Sequence, residues 1–392
     1  LLEAGESELV RAQHLSFFLK LAEEAEPNLR AAAQIIWLPR LDLEHDNLRA
    51  ALQWAKGSDA LESGLRLAAS LARFWYLRGF WKEGREWLRG LLAQPFPATP
   101  LPEALVRAQA RALAGAGWLA DADGSEIPLY AESLALCRQV GDRWGEAYAL
   151  RGLVVITSNV TDLVPAEAHL QASLQIFRAL QDDWGIGLVY FSLGWIAMSR
   201  DKIDEAAQHW EEAMRRFRQC GDRWGISVAL GAFGYIARLR GQYPQAADLI
   251  HESMALFREL GDKAGVSYSL IRLANLAWRR GDYTEAMALL QESLDIQRER
   301  SNQEGIIAAL QSQALVACLQ GKFAQATTLL SESAHLAQAR EIATEIGDNL
   351  SFQALVFYSS NELDQAQAFF EQSLAIFQPE NETEGLAFSC YG

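Results

Sequence analysis

The residues of this chain that could carry out acid–base or metal chemistry are six histidines, four cysteines and 50 acidic residues among 392. Two metal-binding histidines on one helix commonly stand about four residues apart. No pair has that spacing among His14, His45, His169, His209, His251 and His335. The four cysteines lie far apart in the chain, with no C-x-x-C pair among them, at Cys137, Cys220, Cys318 and Cys390. The sequence therefore predicts neither a metal site nor a disulfide framework.

Motifs for nucleophilic catalysis and phosphate binding are missing as well. No G-x-S-x-G string is present, and Gly321-Lys322-Phe323 lacks the glycine-rich loop that precedes a phosphate-binding lysine. The carboxylates are dispersed along the chain rather than gathered in one motif. We therefore expect a chain that is not itself an enzyme and that holds no cofactor.

The charge of the chain restricts its partners. The net charge is −15, from 35 basic and 50 acidic residues, so direct contact with nucleic acid or an anionic membrane is not expected. No apolar run is long enough to span a membrane and no signal peptide opens the chain, which favours a reducing cytoplasm. The sequence begins with Leu1 rather than Met, so we expect a piece of a longer protein.

A 40-residue period runs through most of the sequence. Trp144-Gly145 returns as Trp184-Gly185 and Trp224-Gly225, and the glycine continues at Gly265, Gly305 and Gly385. Three further markers keep the register: Ser133, Ser173, Ser253, Ser293, Ser333 and Ser373; Ala206, Ala246, Ala286, Ala326 and Ala366; and Gly194, Gly234, Ala274, Ala314 and Ala354. Four markers in one register indicate a repeat protein.

Each period is typical of two helices. In residues 222–261, Asp222 is a helix N-cap, Gly241 and Gly261 supply left-handed stops, and Pro244 suits a first helical turn. The small residues at Gly234 and Ala246 would allow the two helices to cross closely. Because one helix pair cannot bury its own apolar faces, stacked pairs must share them. We therefore predict an all-α, right-handed superhelical solenoid of antiparallel helix pairs.

The spacing of Leu193-Gly194, Ala197, Asp201, Ala206 and Ala213 resembles the tetratricopeptide repeat, in an extended form whose period exceeds the usual length of about 34 residues. Gly79 to Gly84 aligns with Gly281 to Ala286 and indicates a degenerate earlier unit. We accordingly predict three regions: an N-terminal helical arm or linker (1–58), a degenerate first repeat with a Pro-rich connection between Pro95 and Pro102 (59–101), and an array of extended repeats with the last one truncated (102–392).

The N-terminal region, 6–56, is expected to form two or three helices broken at Pro27 and Pro39. Two phrases, Leu43 to Leu52 (LEHDNLRAAL) and Leu67 to Gly79, resemble segments of bacterial STAND-class signalling NTPases and of large LuxR- and MalT-like regulators. That resemblance implies an NTPase domain upstream. The charged residues within the first phrase would either form a solvated helix face or contact that domain: Glu44, His45, Asp46 and Arg49.

The resemblance also implies which helix face is concave, since first helices line the inner wall of such repeats. The predicted ligand-binding residues combine aromatic rings with a few polar groups on that face. They are Phe191, Trp195, Tyr235, Arg238, Tyr268, Arg272, Asn275, Trp278 and Gln311. The three tryptophans Trp144, Trp184 and Trp224 recur at the starts of first helices and are assigned instead to packing between repeats.

Two functions remain open from the sequence. The resemblance favours the sensor domain of a STAND-like ATPase, which would bind a protein, peptide or small-molecule effector on its concave surface and relay it to the upstream NTPase in cis. The alternative is a free-standing peptide receptor or protein–protein interaction scaffold.

Overall fold

The computed structural model describes residues 6–96, 100–120, 126–154, 163–340 and 342–380. These ranges contain 19 helices and no strand. The all-α class predicted from the sequence is thereby confirmed. The marker at Gly385, Cys390 and the truncated last repeat lie outside the described residues, as do residues 97–99 of the Pro-rich connection.

Residues 6–92 form five helices. They are α1 (Glu6–Asn28), α2 (Gln34–Leu43), α3 (His45–Lys56), α4 (Leu61–Arg78) and α5 (Trp81–Leu92). Gly79 joins α4 to α5 with a φ of 74°, a left-handed conformation that glycine adopts readily. Two helices joined at Gly79 therefore lie where the degenerate unit is expected, and its assignment as a repeat stays a prediction.

The remaining fourteen helices alternate as first and second members of pairs. They are α6 (Glu103–Trp118), α7 (Glu126–Gln139), α8 (Arg143–Gly152), α9 (Leu163–Ala179), α10 (Asp183–Ser199), α11 (Ile203–Cys220), α12 (Arg223–Leu239), α13 (Tyr243–Leu260), α14 (Lys263–Arg279), α15 (Tyr283–Glu299), α16 (Gln303–Leu319), α17 (Phe323–Arg340), α18 (Ala343–Ser359) and α19 (Leu363–Glu380). From α8 onward the starts of the first helices keep one constant spacing, and the starts of the second helices keep the same spacing, as the period predicts.

In the described repeats, a residue with positive φ recurs between one helix and the next. Glycines at 141, 221, 241, 261, 281 and 321 have positive φ, and Gln181, Asp201, Ser301 and Asn361 take the same conformation at equivalent places. Three aspartates cap the helices that follow these stops. Asp142, Asp182 and Asp282 accept a hydrogen bond from the backbone N–H three residues later, which satisfies a donor that the helix leaves free.

A buried serine in most of the second helices explains one of the sequence markers, and α11 has Ala213 in its place. Ser133 Oγ donates to the carbonyl oxygen of Ala110 at 2.8 Å, and Ser173 Oγ donates to that of Ala147 at 2.7 Å. Both serines are fully buried. A hydroxyl at this position therefore joins the second helix of a pair to the first, in addition to apolar packing.

The glycine that follows the repeated tryptophan permits a close contact between helices. A Cβ added at Gly185 would lie 2.4 Å from the ring of Phe177, and one at Gly194 would lie 2.2 Å from the indole of Trp210. Real Cβ atoms do not approach other atoms so closely. These positions therefore require glycine because a neighbouring ring packs directly on the backbone.

The N-terminal helices differ from the sequence expectation at one proline. α1 ends at Asn28, directly after Pro27, but Pro39 lies inside α2 and does not end it. Proline removes the hydrogen bond that Ile35 C=O would accept. Because the Ile35 side chain is 43% exposed, this part of α2 faces water, which offers the carbonyl a substitute donor. The prediction of a break at Pro39 was wrong for this reason.

The described helices form two compact units. The first comprises residues 1–236 with 255–262, and its largest fully buried side chains are Trp75, Trp210, Phe74, Phe177 and Phe217. The second comprises residues 237–254 with 263–392. Its core contains small residues, including Ala274, Ala286 and Ala314, with Leu290 and Leu330 between them.

Candidate functional site

The first unit contains an open polar cleft of about 820 Å³ between α1, α4, α6 and the start of α8. We call it the inner cleft. Its lining includes four arginines and four glutamates: Arg30, Arg66, Arg107, Arg111, Glu23, Glu26, Glu62 and Glu103. Because the lining carries basic, acidic and neutral polar side chains, the cleft is suited to a ligand with both charged and neutral polar groups.

Most charges of the inner cleft are already paired with one another, and Arg111 pairs instead with Asp142 outside the lining. Arg66 Nη2 lies 2.7 Å from Glu23 Oε1, and Arg107 Nη2 lies 2.8 Å from Glu103 Oε1. Burial alone would lower the pKa of Arg66, but its hydrogen bonds and charge interactions with Glu23 and Glu62 together outweigh burial and raise that pKa. Arg66 and Arg107 are both more than a third exposed, so these pairs are weak and a ligand could replace one partner.

A smaller space of about 50 Å³ continues from the inner cleft into the first unit. We call it the inner pocket. The two spaces share Glu26, Arg30, Ala69, Arg111 and Trp144. Further in, the wall is formed by Arg73, Trp118, Cys137, Tyr148 and Trp184. Burial raises the pKa of the Cys137 thiol to about 11, so this wall presents a neutral thiol rather than a thiolate nucleophile.

Arginines from the N-terminal part of the chain stack on the repeated tryptophans. The guanidinium carbon of Arg30 lies 4.3 Å from the ring centre of Trp144, and that of Arg73 lies 4.7 Å from the ring centre of Trp224. Both arginines also contact Trp184, at 5.0 Å and 5.2 Å. Such contacts combine a cation with the negative face of an aromatic ring and gain strength when shielded from water.

The predicted packing role of these tryptophans is correct but incomplete. Trp144 and Trp184 belong to successive repeats and stack with ring centres 6.3 Å apart. Their indole N–H groups donate to Asp182 and Asp222, at 2.7 Å and 2.8 Å. Sequence reasoning missed that the same rings contact Arg30 and Arg73. The repetition of three tryptophans at equivalent positions was the available signal for a shared role. Nothing in the local sequence indicated that Arg30 and Arg73 would contact them.

Asp222 forms hydrogen bonds and an ion pair that join the N-terminal helices to the repeats. Its carboxylate accepts hydrogen bonds from Gln34 Nε2 at 2.6 Å and from Trp184 Nε1 at 2.8 Å, and it pairs with Arg73 Nη2 at 3.3 Å. In turn, Gln34 Oε1 accepts from the backbone N–H of Arg223 at 3.0 Å. Helices α2 and α4 are therefore bonded to the start of α12.

The first phrase of the N-terminal resemblance makes a contact that neither sequence interpretation included. Arg49 Nη2 lies 2.6 Å from Glu83 Oε2 and His45 Nε2 lies 3.1 Å from Glu83 Oε1, so α3 is tied to α5. The expected local pair is also present, with Arg49 Nη1 at 3.2 Å from Asp46 Oδ1. Burial would raise the pKa of Glu83, but hydrogen bonds from Arg49 and His45 outweigh it and lower the pKa to about 2.

Three of the predicted ligand-binding residues lie in the first unit and are half-buried: Phe191, Trp195 and Tyr235. Phe191 and Trp195 pack against a buried cluster that includes Trp210. The ring centres of Trp195 and Tyr235 are 6.0 Å apart. Trp195 therefore contributes to the core as well as to the surface.

The other six predicted residues lie in the second unit, and Tyr268 is the most exposed of them at 53%. Arg272 stacks on Tyr268 with its guanidinium carbon 4.2 Å from the ring centre. Trp278 Nε1 donates to Asn275 Oδ1 at 3.0 Å. Gln311 is buried, whereas Arg238 is partly exposed. None of the nine predicted residues lines the inner cleft or the inner pocket, and their role in binding stays a prediction.

Within the described ranges, no group of histidine, cysteine, aspartate and glutamate side chains is arranged to hold a metal ion. In the same part of the chain, no helix combines the length and the apolar character needed to cross a membrane.

Comparison with known proteins adds a family and several relatives. The model of the family described as the MalT-like TPR region matches residues 145–350, which is more than half of the chain. Proteins of Mycobacterium bovis and Mycobacterium tuberculosis, whose names place them among HTH-type transcriptional regulators, are 31% identical over 148 residues. The match covers 36% of this chain and 16% of each relative, so it spans about a sixth of those proteins.

Three solved structures share the fold, each at 13% identity. A Rap protein complexed with competence and sporulation factor has a TM-score of 0.63 and covers 95% of this chain and 99% of its own. The STAND protein PH0952 of Pyrococcus horikoshii, which has a tetratricopeptide repeat sensor, has a TM-score of 0.56. The match covers 88% of this chain and 55% of that protein. The apo quorum sensor NprR of B. thuringiensis has a TM-score of 0.53, and the match covers 93% of this chain and 99% of NprR.

Proposed function

This chain belongs to the family of MalT-like TPR regions, and we propose that it is the effector-sensing domain of a STAND-class signal-transduction ATPase. The chain is a helical repeat domain rather than a catalytic fold. In the proposal, a peptide, protein or small-molecule effector binds to it in the cytoplasm. Binding then alters a nucleotide-binding domain that precedes residue 1 in the same protein.

The inner cleft is the observation that carries this proposal. One side of the cleft is formed by α1 and α4, and the other by α6 and α8 of the repeats. In the proposed order of domains, α1 to α5 lie between the nucleotide-binding domain and the repeats. A ligand that contacts both sides would favour one arrangement of these helices over another, and coupling of this kind requires such a difference in affinity.

The comparisons support the same proposal. The STAND protein of Pyrococcus horikoshii carries its repeats as a sensor, and the mycobacterial relatives are named as transcriptional regulators. The segment Leu43 to Leu52 precedes the repeats in the order expected for STAND proteins. We further propose that the effector contacts the first-helix residues Trp195 and Tyr235 of the first unit, and that Tyr268 and Arg272 form a separate binding surface within the second unit.

A free-standing peptide receptor is the second candidate. The Rap protein, which was solved in complex with competence and sporulation factor, and the quorum sensor NprR share the fold over most of this chain. This candidate needs no nucleotide-binding domain. The two candidates therefore differ in what precedes residue 1.

The test uses the full-length protein. Its preceding residues are examined for a phosphate-binding loop, and material co-purified with the protein is identified by native mass spectrometry. We expect the loop to be present and the co-purified compound to accelerate release of bound ADP. Absence of the loop would rule out the ATPase sensor and leave the peptide receptor. A loop with ADP release that no co-purified compound changes would count against sensing.

A further inference from the structure

Three hydrogen-bond donors around the Trp118 ring have no partner among the described residues. They are Trp118 Nε1, Arg73 Nη1 and Arg151 Nε, and all three atoms are buried. The guanidinium carbons of Arg73 and Arg151 lie 5.9 Å and 4.8 Å from the ring centre of Trp118. A buried donor without an acceptor costs about 1–3 kcal/mol. Three such donors at one ring indicate that an acceptor belongs there.

The side chains around these donors do not supply that acceptor. Asp222 pairs with Arg73 through Nη2 and not through the Nη1 atom, and it also accepts from Gln34 and Trp184. Arg151 forms no ion pair within the part of the chain that the structure describes. Burial raises the pKa of the neighbouring Tyr148 hydroxyl, so that group stays protonated and neutral.

Glu126, the first residue of α7, is a further buried carboxylate in the first unit. Its side chain is 5% exposed, and its Oε2 atom has no hydrogen-bond partner among the described residues. It forms no ion pair with Arg151 in this structure. Glu126 is therefore the alternative acceptor within the first unit that a variant must exclude.

Two of the three residues that carry these donors belong to the wall of the inner pocket. Arg73 is 93% buried, since its exposed fraction is 7%, yet both Arg73 and Trp118 line the inner pocket. The inner pocket shares Arg30, Arg111 and Trp144 with the inner cleft. Its volume of about 50 Å³ holds roughly three or four water-sized groups, which is the size of a carboxylate and less than an amino-acid side chain such as leucine.

We propose that the inner pocket binds the carboxylate group of a ligand whose remaining atoms lie in the inner cleft. Trp118 Nε1–H and Arg73 Nη1–H donate to the carboxylate oxygens. Arg151 acts as a positioning residue that holds the Trp118 ring and adds positive charge beside it. This assignment rests on the proposed function and adds the chemical class of the effector, which is a free organic acid or a peptide with a free C-terminus.

The experiment uses sodium acetate as the probe and acetamide as its neutral counterpart, both at constant ionic strength set with chloride. Binding to this chain is followed by tryptophan fluorescence and by the thermal midpoint. We expect saturable stabilisation by acetate and none by acetamide. In a ¹⁵N spectrum, the indole N–H resonance of Trp118 should shift with acetate only. Equal effects of acetate and acetamide, or an unmoved Trp118 resonance, would overturn the proposal.

Variants assign the effect to these residues. Trp118→Phe removes the N–H while keeping a ring, and Arg151→Gln removes the charge; each should weaken acetate binding at least fivefold. Arg40→Gln is the matched control, because Arg40 also stacks on an indole, at 4.7 Å from Trp37, outside the inner pocket. Glu126→Gln should leave binding unchanged. Wild-type binding in both Trp118→Phe and Arg151→Gln, or loss of binding in Arg40→Gln alone, contradicts the proposal.

The source of the carboxylate is distinguished with acetyl-trialanine and its C-terminal amide. Tighter binding of the acid than of acetate assigns the site to peptides, and equal binding assigns it to free acids. Binding of the amide as strong as that of the acid overturns the carboxylate site. An effector that still accelerates ADP release in Trp118→Phe would remove this pocket from sensing and leave the proposed function intact.

Discussion

Arg73 and Asp222 form an ion pair although 149 residues separate them in the sequence. The Nη2 and Oδ2 atoms are 3.3 Å apart, and the two side chains are 6% and 0% exposed. Arg73 lies on α4 and Asp222 directly before α12, so one buried contact connects the degenerate first pair to the repeat that begins at Arg223. The stability of the first unit therefore depends on Asp222. In an isolated repeat, the same aspartate would only cap the N-terminus of a helix.

Asp222→Asn should lower the free energy of unfolding by about 3–5 kcal/mol, because it leaves the buried charge of Arg73 without its counter-ion. Urea denaturation followed by circular dichroism measures the change. Asp282→Asn is the matched control, since Asp282 caps α15 in the second unit and asparagine caps almost as well. We expect the control to change stability by less than about 0.5 kcal/mol. Similar losses in both variants would mean that the Arg73 contact is unimportant.

Glu83 should make the protein acid-sensitive below pH 4.5. Its pKa is lowered from 4.5 to about 2 in the folded state, so its contribution to stability is complete above pH 4.5 and is lost as the pH falls towards 2. Glu83→Gln should cost between about 1 and 3 kcal/mol at pH 7, because Arg49 is partly exposed and its pairing is screened. The cost should shrink towards pH 2. A cost that is independent of pH would show that the carboxylate charge is not involved.

The predicted ligand-binding rings should differ in what they contribute to stability. Trp195 packs on the cluster around Trp210, so Trp195→Ala should lower stability by about 2–3 kcal/mol. Tyr268 is 53% exposed, so Tyr268→Ala should change stability by less than about 0.5 kcal/mol. Thermal melts followed by circular dichroism compare the two. Unchanged stability in Trp195→Ala would show that this ring is free to serve binding alone.

Ser301→Gly should stabilise the second unit by about 0.5 kcal/mol. Ser301 has a φ of 53°, where a Cβ is strained, and glycine removes that strain while making the unfolded chain more flexible. Ser331→Gly is the control, because Ser331 lies in the regular helix α17 and the same change there should destabilise by about 0.5 kcal/mol. Changes of the same sign at both positions would contradict this account of the helix stops.

The repeated elements were predictable because their signals are local. The glycine at 261 and the aspartates at 142 and 182 act on backbone groups within a few residues, so the sequence carries both partners together. The fixed start of each helix follows from these signals. Pro39 shows the limit of the same reasoning, since its effect depends on whether Ile35 faces water, which the neighbouring residues do not determine.

The inner cleft was not predictable in the same way. Arg30 in the turn after α1, like Gln34 and Arg73 on their helices, carries no local signal, and the partners of all three lie in repeats far later in the chain. The sequence predicted binding residues on one face of the first helices. The cleft is formed instead where N-terminal helices contact the repeats. Contacts of this kind arise from tertiary packing and have no period of their own.

The hydrogen bond between Gln34 and Asp222, which closes over 188 residues, has a consequence for synthesis on the ribosome. At typical elongation rates of about 5–20 residues per second, Gln34 is made roughly 10–40 seconds before its acceptor exists. During that interval helices α2 and α4 lack their buried partner while later repeats are still being translated. Among the described helices, α2 and α4 are therefore those on which a chaperone would have a long time to act.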